Sequence, residues 1–252
     1  MPTTHPSITQ AVVLAAGLGT RLRPITDRMP KPLVTVGGRP MIDYVLDLLV
    51  EAGVETVAVN VHHFADQMEA HLAAEKRLEI RISDERAALM NSGGGLVKAL
   101  GLLDDVPVLV MNADLFWVNE RGDRPSALSR LADAFDATRM DMMMLCVALE
   151  ATTGHNGKKD FSLHQDGHLE RHMEGDANPV VYAGALVVHP SLFADAPRDA
   201  FNLNIYFDRA IAAKRLFGTM LEGSWITVGT PEAIADAERV LKPDSSSIAA
   251  DR

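Results

Sequence analysis

The chain has 252 residues, 47% of them apolar and 23% charged, which suits one large α/β domain or two small ones. Its formal net charge of −10 excludes a broad basic face for nucleic acid, yet leaves room for a small phosphorylated substrate that needs only a few local cations and amides. No apolar run approaches the roughly 20 residues that span a bilayer, so no membrane partner is expected. Residues 1–10 lack the basic start and apolar centre of a signal peptide, so a cytoplasmic protein is expected.

The predicted elements alternate along the first half. Residues 11–16 read as a buried strand, 40–52 as an amphipathic helix, 54–61 as a strand and 64–74 as a helix. Then follow a strand at 78–83, a short helix at 96–103 and strands at 106–112 and 140–148, with a helix at 127–137 between them. This order predicts a three-layer, Rossmann-like α/β sandwich around a mostly parallel mixed sheet. The second half predicts a hairpin at 161–173, a long strand at 180–189, a helix at 205–214, short strands at 217–221 and 225–228, and a closing helix at 231–240. Without repeats or a linker, residues 1–242 are expected to form one domain. The Ser- and Asp-rich residues 243–252 are expected to form a disordered tail. Cys146, the only cysteine, lies in an apolar run and reads as a buried structural thiol. The nine histidines show no spacing that suggests zinc.

The densest chemistry follows the first strand. Leu14, Ala15 and Ala16 lead into Gly17-Leu18-Gly19-Thr20-Arg21-Leu22-Arg23-Pro24. Two glycines allow a sharp turn and close backbone approach, which can present N–H groups to phosphate oxygens. Arg21 adds a forked cation. The pattern is neither a dinucleotide fingerprint, since Leu22 fills the third glycine position, nor a P-loop, since Gly-Lys-Ser/Thr is missing. Alone it could be a plain glycine turn. Lys31, held between Pro30 and Pro32, changes that balance by offering a stiffly mounted point charge soon afterwards.

Taken together, residues 14–24 and Lys31-Pro32-Leu33 resemble the signature of the sugar-1-phosphate nucleotidyltransferases, and the resemblance runs on to about residue 238. It implies a nucleoside triphosphate (UTP or GTP) and a sugar 1-phosphate as partners. It implies that Arg21 and Lys31 contact phosphates, and that Leu14, Ala15, Ala16, Gly17, Gly19, Thr20 and Arg21 bind the nucleotide.

Asp114 ends the apolar strand 108–112, where ligands of open parallel sheets bind, and is the candidate ligand for Mg²⁺. The resemblance implies a second acid in Trp-x-Asp-x-Gly-Thr, but this chain has Trp225-Ile226-Thr227-Val228-Gly229-Thr230. Either Asp114, water and substrate phosphates suffice, or another carboxylate compensates, or activity is weak. Asn91-Ser92-Gly93-Gly94-Gly95 reads as a glycine loop before a helix, with Asn91 and Gly93 as candidates for the nucleotide.

On the sugar side the candidates are Asn112, Asp160, Gly184 and Asn204. Residues 154–161 resemble a Gly-His-x-Gly-x-x-Asp-Phe segment of the N-acetylmuramate-1-phosphate uridylyltransferases, which implies UTP, that sugar and cell-wall recycling. A mannose- or heptose-1-phosphate guanylyltransferase is the alternative, and a sugar-nucleotide-binding regulator without turnover the alternative of another class. The Glu-Lys-Pro of many relatives is replaced by Glu174-Gly175-Asp176, so Lys158, Lys159 or Lys31 is left to meet the sugar phosphate.

Overall fold

Short apolar runs that bury both faces become the central strands. The computed structural model describes residues 8–242, and the tail expected at 243–252 lies outside them. In chain order the elements are β1 (Gln10–Leu14), β2 (Thr35–Val36), β3 (Arg39–Pro40), α1 (Met41–Glu51), β4 (Thr56–Val61), α2 (Ala65–Leu72), β5 (Glu79–Asp84), α3 (Asn91–Leu100), β6 (Val108–Asn112) and β7 (Leu115–Val118). They continue with α4 (Ala127–Ala134), β8 (Met142–Val147), β9 (Thr152–Thr153), β10 (Phe161–Leu163), β11 (Leu169–Arg171), β12 (Pro179–Val188), α5 (Asn204–Ala212), β13 (Leu216–Met220), β14 (Ser224–Thr227) and α6 (Pro231–Leu241). Three short 3-10 turns, at Thr20–Leu22, Ile25–Asp27 and Lys31–Leu33, carry the chain from β1 towards β2.

The large sheet runs β11-β10-β12-β6-β1-β4-β5, with β8 added on β12 and β13 on β8. Strands β6, β1, β4 and β5 are parallel, while β12 is antiparallel to both β6 and β8. Alternate residues of β1 feed different cores: Ala11 and Val13 join one cluster, Val12 the other. That is the three-layer arrangement expected of a sheet covered on both faces. Because β1 has β4 on one side and β6 on the other, a crevice opens at its carboxyl end, the place where open α/β sheets bind ligands.

Three local expectations change. The first strand stops at Leu14 instead of residue 16, because the amides of Ala15 and Ala16 donate to the side chain of Asn60, at 2.5 and 3.1 Å, and not to a neighbouring strand. Helix α3 begins at Asn91 instead of residue 96, so Gly93, Gly94 and Gly95 are helical. The Phe201 carbonyl accepts from the amides of Gly93 and Gly94, at 2.9 and 3.3 Å, which serves donors that a helix start leaves free. A second small sheet, β7-β14-β9, forms where no strand was expected directly after Asp114.

Candidate active site

A cleft of about 330 Å³ opens at the carboxyl ends of β1 and β6. Leu14, Ala15, Ala16 and Gly17 contribute from the end of β1, Lys31 and Pro32 from the third 3-10 turn, Asn112 and Asp114 from the end of β6, and Asn91 and Ser92 from the start of α3. Residues about 100 positions apart converge because β1 and β6 are in register, with Leu14 opposite Asn112 and the Ala113 amide donating to the Leu14 carbonyl at 3.1 Å.

The glycine loop is tied to the lysine turn. Gly19 has φ +63°, and a Cβ there would lie 2.9 Å from both Lys31 Cβ and Thr26 Cγ2. Thr26 Oγ1 donates to the Gly19 carbonyl at 2.8 Å. Only glycine meets both demands, the left-handed backbone and the close approach. Gly17 differs: a Cβ there would meet nothing within 4 Å, so its open surface faces the cleft. Arg21 is exposed on the first 3-10 turn, with its guanidinium over Gly229. Among the described residues it makes no hydrogen bond or ion pair.

Lys31 is nearly buried and its Nζ donates to Asp114 Oδ2 at 2.5 Å. Asp114 is partly exposed, and its carbonyl accepts from the Val228 amide at 3.3 Å and from Thr227 Oγ1 at 3.4 Å. The threonine in the second acid's place therefore lies beside Asp114. Among the described residues no group of three or more His, Cys, Asp or Glu side chains could hold a metal ion. Among the described residues the cleft lining offers a single carboxylate, the partly exposed Asp114. That fits Mg²⁺, which keeps several waters and takes one or two carboxylates together with substrate phosphates. Burial pushes the Cys146 thiol up, in keeping with a structural role.

The start of α3 is organised by Asn60, which lines the cleft, and by Glu85 behind it. Asn60 Oδ1 accepts from the Ala15 and Ala16 amides, and Asn60 Nδ2 donates to Glu85 Oε1 at 2.7 Å. Glu85, fully buried, accepts at Oε2 from the Met90 amide at 2.9 Å. The glycine run packs against protein: a Cβ on Gly93 would lie 2.2 Å from the Phe201 ring, one on Gly94 3.1 Å from Met90, and one on Gly95 2.6 Å from Asn60 Nδ2. Gly93 thus sits beneath Phe201 and does not line the cleft, whereas Asn91, at φ +58°, does. Sequence reasoning missed Asn60 and Glu85. The signal for Asn60 was present, as one amide in the apolar strand Thr56–Val61. Glu85, between Asp84 and Arg86, reads as solvent-facing and gave none.

The family model for nucleotidyl transferases matches residues 10–153, which carry the glycine loop, Lys31 and Asp114. The chain belongs to this family. It is 42% identical over 235 residues to N-acetylmuramate alpha-1-phosphate uridylyltransferase from Caulobacter vibrioides, covering 92% of this chain and 96% of the relative. It is 29% identical to the protein of the same name from Neisseria meningitidis serogroup B, over 91% of this chain and 96% of that one. Among solved structures, a UTP-bound UGPase from Acinetobacter baumannii superimposes with a TM-score of 0.73 at 19% identity, covering 94% of this chain and 95% of that one. The fold is that of the nucleotide-diphospho-sugar transferases, and the chain is a sugar-1-phosphate nucleotidyltransferase.

In this nucleotidyltransferase the expected sugar-side residues are spread around β12. Gly184, at φ +74°, sits within a register shift between β12 and β8, and a Cβ there would lie 2.3 Å from Leu115. It is one residue beyond the pairing of Ala185 with Met111, next to the end of β6 that carries Asn112. Asp160 precedes β10 and its Oδ2 accepts from the Tyr182 amide at 3.0 Å. Asn204 starts α5, exposed, and its Oδ1 accepts from Arg171 at 3.1 Å. Asn112 lines the cleft; Asp160, Gly184 and Asn204 do not. The segment from Gly154 packs on β14: a Cβ on Gly154 would lie 2.1 Å from the Thr227 carbonyl, and the His155 ring meets Trp225 edge-on at 5.8 Å. Trp225 Nε1 in turn donates to the Ala183 carbonyl at 2.9 Å, joining that segment to the β12 bulge.

Proposed function

We propose that this nucleotidyltransferase transfers the uridylyl group of UTP to N-acetylmuramate 1-phosphate, releasing pyrophosphate and forming UDP-N-acetylmuramate. The observation that carries this reading is the 42% identity spanning nearly the full length of both this chain and the Caulobacter uridylyltransferase. The likeness of residues 154–161 to the Gly-His-x-Gly-x-x-Asp-Phe segment, whose Gly154 and His155 pack on β14 beside Thr227, supports the same sugar. On this reading the reaction belongs to cytoplasmic recycling of cell-wall sugars, where nucleoside triphosphates are made.

A phosphate oxygen of the sugar 1-phosphate attacks the α-phosphorus. One P–O bond forms, the α–β bridging P–O bond breaks, and pyrophosphate leaves with the electron pair. The nucleophile is already anionic, so positioning and charge stabilisation carry the catalysis. Lys31 and Arg21 supply cations for the phosphates. Gly17 and Gly19 let the backbone come close, and Asn91 and Ser92 face the end of β1 across the cleft. Asp114 would hold Mg²⁺, which when bound supplies neutralisation of phosphate charge. The carboxylate is available once Lys31 turns from it to substrate.

The test is pyrophosphate release with Mg²⁺, each of four nucleoside triphosphates and a panel of sugar 1-phosphates. The expected result is turnover with UTP and N-acetylmuramate 1-phosphate. Preference for GTP with mannose or heptose 1-phosphate would move the assignment to a guanylyltransferase. Nucleotide binding without turnover across the panel would overturn the catalytic reading in favour of a binding protein.

A further inference from the structure

We propose that Glu85, acting through Asn60, is a positioning residue that sets the nucleotide edge of the cleft. The inference rests on the reading that residues 14–17 and 91–92 receive the nucleotide.

The hydrogen-bond polarity of the pair is unambiguous. Ala15 and Ala16 present N–H donors, so the Asn60 atom facing them must be its oxygen. The Asn60 amide nitrogen then faces Glu85 Oε1, while Glu85 Oε2 faces the Met90 N–H. Both oxygens of Glu85 act as acceptors, and it is 0% exposed. One carboxylate therefore spans the two segments that form the edge: the end of β1 through Asn60, and the residue before α3 directly. Gly95 makes room for it, since a Cβ there would lie 2.6 Å from Asn60 Nδ2 and 2.7 Å from Glu85 Oε1. The clamp also has a consequence for recognition. With the Ala15 and Ala16 amides taken, that stretch offers the ligand carbonyl acceptors, and amide donation starts at Gly17.

The polarity supplies its own test. In Glu85→Gln one acceptor oxygen becomes an NH₂ donor. It confronts either the Met90 N–H or the Asn60 amide, and if Asn60 turns over to meet it, two backbone N–H groups lose their acceptor. In the exchange variant Asn60→Asp/Glu85→Gln, acid and amide trade places. The acid at 60 accepts from Ala15, Ala16 and the amide at 85, and the amide oxygen at 85 accepts from Met90. Every bond is restored with the opposite polarity between the two side chains.

Steady-state kinetics on the full chain, with UTP, Mg²⁺ and the sugar 1-phosphate that supports turnover, should show KM for UTP raised about tenfold or more in Glu85→Gln, from the loss of charged hydrogen bonds. KM for the sugar phosphate should move less than about threefold, and the exchange variant should bring KM for UTP back to within about threefold of wild type. A merely structural role would lower the melting temperature without separating the two KM values. An unchanged KM for UTP in Glu85→Gln, or an exchange variant as impaired as the single one, overturns the proposal. If Glu85→Gln alone does not fold, a folded exchange variant that binds UTP supports it and an unfolded one overturns it. Hydrogen exchange on the wild type separates the underlying reading: UTP with Mg²⁺ should protect amides at 17–19 and 91–92. Absence of that protection overturns the site assignment, and the clamp's role with it, whatever the kinetics of the pair.

Discussion

Lys31 Nζ lies 2.5 Å from Asp114 Oδ2, which joins the turn after the glycine loop to the end of β6, 83 residues away. The lysine occupies the carboxylate expected to take the metal. The pair holds the two charges at the mouth of the cleft, each as the other's counterion. On the proposed reaction, a nucleotide and its cation replace both halves at once, a phosphate pairing with the lysine and the cation with the acid.

Lys31→Ala and Asp114→Ala should therefore each lower turnover by about a hundredfold or more, on the scale of losing one group that stabilises transition-state charge. Pyrophosphate release under saturating substrates checks this. Near-wild-type rates in both variants would remove these residues from the mechanism.

Thr227 lies next to Asp114, its hydroxyl bonded to the Asp114 carbonyl. Thr227→Asp adds a carboxylate where the resemblance to the family implies one. The Mg²⁺ concentration for half-maximal activity should fall by about fivefold, the equivalent of about 1 kcal/mol of attraction at a partly exposed site. A Mg²⁺ titration that does not move would show that the cation stays away from β14.

The two loop glycines should respond differently to alanine. Gly19→Ala meets φ +63° and contacts of 2.9 Å with Lys31 and Thr26, so it should lose about 1–3 kcal/mol of stability. Gly17→Ala meets open space, so stability should stay within about 0.5 kcal/mol while KM for the nucleotide rises. Denaturant melts paired with nucleotide titrations separate the two effects.

Away from the cleft, the Arg77 side-chain hydrogen bond holds the Glu75 carboxyl down to about 2, below its ordinary 4.5. An acid that ionises more readily in the folded chain stabilises it above about pH 4.5. That contribution is lost as pH falls from 4.5 towards 2. Arg77 is about half exposed, so screening keeps the effect of Arg77→Ala to about 1 kcal/mol or less at pH 7. Melts of the two proteins should differ at pH 7 and converge near pH 2.

The alternation of apolar runs predicts the α/β order, and the short motifs around Gly17, Gly19, Lys31 and Asp114 point to phosphate chemistry. Both signals are local: strand periodicity and glycine or proline punctuation act within a few residues of their cause. The contacts that organise the edge of the cleft are not local. Asn60 reaches Ala15 across 45 residues and Glu85 across 25, and no spacing rule pairs an amide with an acid at those separations. The three glycines after Ser92 read as an approach for ligand, yet they are filled from the far side by Phe201, Met90 and the Asn60–Glu85 pair. Glycine in the sequence says that something comes close, and only the packed structure decides what. By itself the sequence determined the fold class and the reaction class, and it singled out Lys31 and Asp114, which the structure brings to one cleft. The tertiary structure decided which backbone groups remain open at the cleft, because hydrogen-bond partners and steric neighbours exist only once distant segments meet.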